Sequence, residues 1–331
     1  MGGSEGWEPD VLGPGFQRRT LPLKPDDEGE VVATLVRYRP DPLTALGRGP
    51  ADGADVLYVH GWSDYFFQAH LARFWAAAGA RFWALDLRKY GRSLRPGQTP
   101  GYVTDLAVYD EDIEAALSAI GHGSGRGRSR RRLLLMGHST GGLTLSLWAA
   151  RHPGRVAALV LNAPWLEFQT NAVGRQALAP LLQAGARLRP RDTLPNVDLG
   201  FYSRTTAHAL GGEWDYDPAW RPEHGFRITV GWLNAVLAGH ARVQRGLDIA
   251  VPVLVVMSAR SALAPRWSED MRAADVALDV DVVAERATRL GPDVTIQRLD
   301  GALHDVFLSA APVRAAAERG IADWLPYALA R

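Results

Sequence analysis

The chain has 331 residues, with 37 Lys plus Arg against 36 Asp plus Glu, and no cysteine. Charges so evenly balanced set up no field to attract nucleic acid or an anionic membrane, and the missing thiols exclude disulfides, thiolate metal sites and a cysteine nucleophile together. Hydrophobic residues at 47% and charged residues at 22% are ordinary for a globular fold, and no apolar stretch approaches the roughly 18 residues of a membrane span.

The opening MGGSEGWEPDVLGPGFQ lacks the basic segment and apolar run of a secretory signal, and Gly6 stands where a myristoylation pattern needs Ser or Thr. A soluble, cytoplasmic protein without stable membrane insertion is expected. Residues 1–30, rich in Gly, Pro and charge, read as a loose arm, and VVATLVRYR (31–39) reads as an edge strand. From Asp55 a rhythm begins. DVLYVHGW reads as a buried strand, FQAHLARFWAAAG as a helix ending at Gly79, RFWALDL as a strand, and DLAVYDEDIEAALSAIG as an amphipathic helix closed by Gly121. RRLLLMGHS, GLTLSLWAARH and VAALVLNAP repeat strand, helix and strand. Ahead of them, after Gly121, lies GHGSGRGRSRRR (121–132), a basic loop with no interleaved aromatics, which reads as a solvated linker.

After Pro164 the rhythm breaks. Residues 165–247 are helical in places, rich in Trp, and include the turn-rich GGEWDYDPAWRPEHG. It resumes with the strand VPVLVVMSA, a helix around VALDVDVVAERATRLG, the strand VTIQRLDG and a last helix from Pro312. Apolar strands alternating with helices imply an α/β fold, a mostly parallel sheet with helices on both faces. The predicted organisation is a core of residues 31–164 and 248–331, interrupted by an inserted helical cap at 165–247.

Gly137-His138-Ser139-Thr140-Gly141 is a G-x-S-x-G sequence at a strand-to-helix turn, the context of a nucleophile elbow. Glycines two before and two after Ser139 remove the Cβ atoms that would collide at so tight a bend. The helix N-terminus that follows aims unpaired N–H groups at any oxyanion formed there. His60-Gly61-Trp62 ends the strand DVLYV. Its Trp62 main-chain N–H is expected to join that of Thr140 in an oxyanion hole, with His60 ordering the loop.

A serine hydroxyl is a weak nucleophile until a base takes its proton. Of nine histidines, only His304 leaves a sheet strand near the C-terminus, where it would come over the carboxyl edge of the sheet. His138 would point away if Ser139 points into the site. The acid that should orient the imidazole belongs after VPVLVVMSA, yet RSALAPRW holds no carboxylate. Asp275 is the first choice, at the end of the loop and before VALDV, where it could equally act as a helix N-cap. Asp270 and Asp279 are the alternatives.

The order Ser139, acid, His304 resembles the α/β-hydrolase superfamily. YVHGWSDYFFQAHLARFWAAAGARFWALDLRKYGRS also resembles the HG … D-x-R-G-x-G-R-S pattern of its monoglyceride lipase/lysophospholipase-like, serine aminopeptidase-like branch, from which Lys89 and Tyr90 depart. The resemblance covers residues 55–164 and 250–331. It implies the α/β-hydrolase fold, a cap over the nucleophile, and the triad aspartate in DVALDV, that is, Asp275. The long loop SALAPRWSEDMRAA departs from the short strand-to-acid connection of that family.

A serine esterase or lipase acting on a small-molecule ester or acyl substrate is expected, with no cofactor and no metal. The histidines lack ligand spacing and no dinucleotide loop opens a helix. Trp165, Phe168 and Trp232 are the candidate acyl-pocket residues. Alternatives are an aminopeptidase-like amide hydrolase, which EWDYD (213–217) would serve by holding an amine, a thioesterase, and a catalytically silent binding protein. Arg187, Arg189 and Arg191 read as a solvated face.

Overall fold

The computed structural model describes residues 6–41, 49–123, 129–168, 185–195 and 198–330. Residues 124–128 of the basic loop, and 169–184 and 196–197 of the expected cap, lie outside the described residues.

The apolar runs become strands because both faces of the sheet are covered. In β4 (Ala54–Val59) every residue is buried, with Val56 and Tyr58 on one face and Leu57 and Val59 on the other. The same alternation continues in β6 (Arg132–His138), where Leu134 and Met136 oppose Leu133 and Leu135, and in β7 (Ala158–Asn162). One face packs on α1 (Ala69–Ala77) and α7 (Ala311–Leu329). The other packs on α2 (Tyr109–Ala119), α3 (Thr140–Arg151), α5 (Val230–Gln244) and α6 (Val280–Ala287), and the short α4 (Phe201–Thr206) precedes α5 in the chain. A strand buried on two faces needs no polar alternation, which is why these segments read as continuous hydrophobic runs.

Together with β1 (Glu8–Pro9), β2 (Phe16–Pro22), β3 (Val32–Tyr38), β5 (Arg81–Asp86), β8 (Val253–Ser258) and β9 (Val294–Leu299), these strands form a nine-stranded sheet among the described residues, ordered β1-β2-β3-β5-β4-β6-β7-β8-β9. From β5 to β9 the pairs are parallel, and β1, β2 and β3 join antiparallel. This is the α/β-hydrolase fold that the sequence resembles. Parallel pairing sends the carboxyl ends of β4, β6, β7, β8 and β9 to one edge, where open α/β sheets place their ligands.

Residues 6–30, the described part of the expected loose arm, are built into the sheet. β2 pairs along its whole length with β3, from Phe16 opposite Tyr38 to Pro22 opposite Val32, so β3 lies inside the sheet and not at its edge. Phe16 is buried and stacks on Tyr38 with ring centroids 4.8 Å apart. Glycine and proline at the β2 flanks hid a strand whose central residues, Gln17 to Thr20, are polar and half-buried or exposed. The turn after β2 is held from two directions: the buried Lys89 ammonium lies 2.6 Å from Asp26 and 2.6 Å from Glu28, while Arg191 lies 2.6 Å from Asp27.

If the first strands are part of the core, Phe16→Ala should lower unfolding free energy by about 3 kcal/mol in urea titration. A change below about 0.5 kcal/mol would match a loose arm.

Candidate active site

The turn between β6 and α3 forces Ser139 to φ 50° and ψ −116°, a region that a non-glycine residue occupies only under strain. Close packing holds it there. A Cβ on Gly141 would collide with the carbonyl oxygens of Val59 and His60, and one on Gly137 would lie 2.7 Å from the Gly141 backbone. On the opposing loop, a Cβ at Gly61 would stand 3.1 Å from Ser139 Cβ. Glycine is therefore required at 137 and 141, a side chain at 61 would crowd Ser139, and the loop after β4 rests directly on the elbow.

The structure brings the three residues expected from far apart in sequence into one line. His304 Nε2 is 3.0 Å from Ser139 Oγ, and His304 Nδ1 is 2.9 Å from Asp275 Oδ2. With Nδ1–H donating to the carboxylate, Nε2 is left to accept the serine proton. The other Asp275 oxygen accepts the main-chain N–H groups of Ala277 and Leu278, at 2.8 Å each, which holds the bend ahead of α6; the N-cap of that helix is Asp279 and not Asp275. Asp270 is exposed and tied to Ser268 and Arg260, and Asp279 caps α6 through the N–H groups of Asp281 and Val282.

The long loop after β8 reaches the acid because its base is closed. Ser261 and Asp275 form a parallel bridge, with Ala262 N–H donating to Asp275 O at 2.7 Å and Asp275 N–H to Arg260 O at 3.0 Å. Residues 262–274 are thus an excursion, and Asp275 stands in space where a short connection would have put it. The excursion is anchored in turn, since Arg272 donates to the carbonyls of Arg204 and Gly211 at 3.1 and 2.8 Å.

The loop bearing His304 has its own support, which the sequence reading missed. Asp305, buried, accepts from Asn162 Nδ2 at 2.6 Å and Gln68 Nε2 at 2.9 Å, while Asn162 Oδ1 accepts Val306 N–H at 3.1 Å. Asn162 ends β7, beside His138 of β6 in register, and a polar residue closing an apolar strand was the available signal. His60 orders its own loop: Nδ1 lies 2.7 Å from Gly61 O and Nε2 accepts Leu87 N–H at 3.1 Å. Burial pushes its pKa below the ordinary histidine value, keeping it neutral.

A cavity of about 570 Å³ opens over Ser139, within the range of small-molecule sites. Trp62, Trp165, Phe201, Tyr202, Leu263 and Val276 are among its lining residues, with His304 and Thr140. Of the three expected acyl-pocket aromatics, only Trp165 lines it. Phe168 packs behind, its ring 5.9 Å from that of Trp165. Trp232 is fully buried against Trp62 at 3.7 Å between centroids, on a helix, α5, that packs on α3. His138 does not point away: it lines the cavity, its ring 5.0 Å from that of His304. The acidic EWDYD cluster lies elsewhere, with Glu213 paired to Arg314 and Asp217 capping Ala219. Arg191 pairs with Asp27 and Glu28. Among the described residues no cluster of His, Asp and Glu has metal-ligand geometry.

The loop that follows Gly61 is stitched to the segment between β7 and β8. Ser63 Oγ accepts Phe226 N–H at 2.9 Å, Tyr65 Oη accepts Asp217 N–H at 2.8 Å, and between them Asp64 Oδ1 lies 3.2 Å from Arg221 Nε. Both partners of this ion pair are nearly inaccessible, and Arg221 also stacks on Tyr202 at 4.7 Å and Tyr216 at 4.3 Å. Burial pushes the Asp64 carboxyl upward, but Arg221 and His138 outweigh it and hold the pKa below the ordinary aspartate value.

A family model described as serine aminopeptidase, S33, matches residues 51–309. The chain is 29% identical over 258 residues to a monoacylglycerol lipase of Mycolicibacterium smegmatis, covering 76% of this chain and 81% of that protein. The fold is shared with a crystal structure of a Paleococcus ferrophilus monoacylglycerol lipase, at TM-score 0.60 and 19% identity over 85% of this chain and 97% of that one. It is shared likewise with a soluble variant of the Saccharomyces cerevisiae monoglyceride lipase in complex with a substrate analog, at TM-score 0.63 and 16% identity over 94% and 96%.

The Asp64–Arg221 pair makes a signed prediction. A carboxyl whose folded pKa is lowered stabilises the fold above its unfolded pKa, and that contribution is lost as pH falls. Arg221→Met should therefore cost about 3 kcal/mol or more at neutral pH by urea titration. The gap from the parent should narrow near pH 4 or below, where Asp64 takes up a proton. An equal gap at both pH values would show that the charge pair is not what the substitution removed.

Proposed function

The chain belongs to the serine aminopeptidase S33 family of the α/β hydrolases and is a serine ester hydrolase, and on that premise we propose that it cleaves carboxylic esters of an apolar acyl group through an acyl-enzyme on Ser139. One observation carries this reading: the unbroken chain Asp275–His304–Ser139, at 2.9 and 3.0 Å, in the wall of a largely apolar cavity.

Ser139 Oγ attacks the ester carbonyl as His304 Nε2 takes its proton, and Asp275 holds the tautomer and balances the imidazolium. The main-chain N–H of Thr140, at the N-terminus of α3, faces the developing oxyanion. His304 then gives its proton to the departing alcohol, and water, activated by the same imidazole, releases the acid. Residues 165–247 are the cap, contributing Trp165, Phe201 and Tyr202 to the cavity, and monoacylglycerols are the proposed substrate class. The acidic segment EWDYD, which an aminopeptidase would use to hold an amine, does not reach the cavity, and Asp198 is the one acidic side chain among its described lining residues.

Ser139→Ala should abolish p-nitrophenol release from medium-chain acyl esters. Asp275→Asn should lower kcat by about 10³-fold or more, whereas Asp270→Asn should leave it unchanged, all measured by steady-state kinetics. A fully active Asp275→Asn enzyme would remove that residue from the triad.

In a panel matched for acyl group, the ester should be turned over faster than the corresponding anilide. Preference for the amide would overturn the ester assignment.

A further inference from the structure

The Trp62 N–H, expected from the sequence to hold the oxyanion directly, already has a partner. It donates to Thr140 Oγ1 at 3.0 Å. Thr140 opens α3 next to Ser139, is 6% exposed, and lines the cavity with Ser139 and His304. A threonine hydroxyl both accepts and donates. Here its accepting side is occupied by Trp62, and among the described residues its own proton meets no protein acceptor.

We propose that the Thr140 side-chain hydroxyl is a donor of the oxyanion hole, relaying the polarity of the Trp62 N–H to the substrate oxygen, beside the main-chain N–H of Thr140 itself. This rests on the ester-hydrolase reading above. No bond is made or broken in the relay. N–H donates to Oγ1, and Oγ1–H donates to the carbonyl oxygen as it gains negative charge. A hydroxyl that accepts one hydrogen bond is polarised to give a stronger one. The β-branched side chain has few rotamers to search, so the donor is preorganised.

The arrangement depends on the close approach already described, because Gly61 brings the Trp62 peptide against the elbow. Tyr90 and Trp232 then fix the Trp62 indole from two sides, at 5.8 and 3.7 Å between centroids. The opposite possibility is that Oγ1 merely fills the hole in the resting enzyme and must be displaced. That version predicts the reverse kinetic sign.

The test is the series Thr140→Val, Thr140→Ser and Thr140→Ala, assayed with a p-nitrophenyl ester and with a trifluoromethyl ketone as oxyanion mimic. Thr140→Val should lower kcat by about 10²-fold with KM little changed, and should weaken the ketone by a similar factor. Thr140→Ser should recover most of both. Should the valine variant not fold, Ser against Ala isolates the same oxygen atom. A Val or Ala enzyme as fast as the parent, or a Ser enzyme as slow as either, overturns the relay. The same assay separates the two claims. A parent enzyme that turns over the ester while Ser139→Ala does not keeps the hydrolase reading, whatever the Thr140 series shows.

Discussion

Everything at this site follows from how closely two turns approach each other at the carboxyl edge of a parallel sheet. The loop after β4 and the elbow after β6 come from neighbouring strands in register, Val59 opposite Gly137. They touch because side chains are absent at Gly137 and Gly141, and a Cβ at Gly61 would crowd Ser139. That contact keeps Ser139 in a backbone conformation it would not adopt alone, and strain of this kind persists only where surrounding packing over-determines it. The contact also lays the Trp62 peptide beside Thr140. Relaxing the contact would change the presentation of the serine and the donors facing it together.

Two further parts of the site are held from the segment between β7 and β8. The Trp62 loop is pinned to it by Ser63, Asp64 and Tyr65, and the acid excursion by Arg272. The loop that carries His304 is instead anchored within the core, through Asp305 to Asn162 and Gln68. One partner of the line is thus fixed by the sheet, while its acid and the oxyanion loop both touch the overlying segment. A buried ion pair such as Asp64–Arg221 gives little net stability against an apolar replacement, but it tolerates few alternative arrangements.

Much of this was legible in the sequence where physics leaves a local mark. Continuous apolar runs gave the inner strands, and glycine spacing gave the elbow. The place of His304 after the last strand gave the imidazole. Asp275 was harder, because a bridge between Ser261 and Asp275 closes the base of its loop, and such a closure leaves no mark in the intervening residues. The first strands were missed since β2 has polar residues and flanking glycines, and its register with β3 is a long-range property. Aromatics misled for a similar reason: Trp232 and Trp165 look alike in sequence, and only the packing of α5 on α3 decides which one faces the cavity. Hydroxyl direction, as at Thr140, is invisible until the neighbouring loop is placed.

The central claim is that one hydroxyl, Ser139 Oγ, is the nucleophile. The most direct measurement treats the protein with one equivalent of a fluorophosphonate ester and maps the modified peptide by mass spectrometry as activity falls. The account predicts loss of activity in step with a single phosphonyl group on the peptide holding Ser139. Stoichiometric inactivation with the group on any other residue would contradict it.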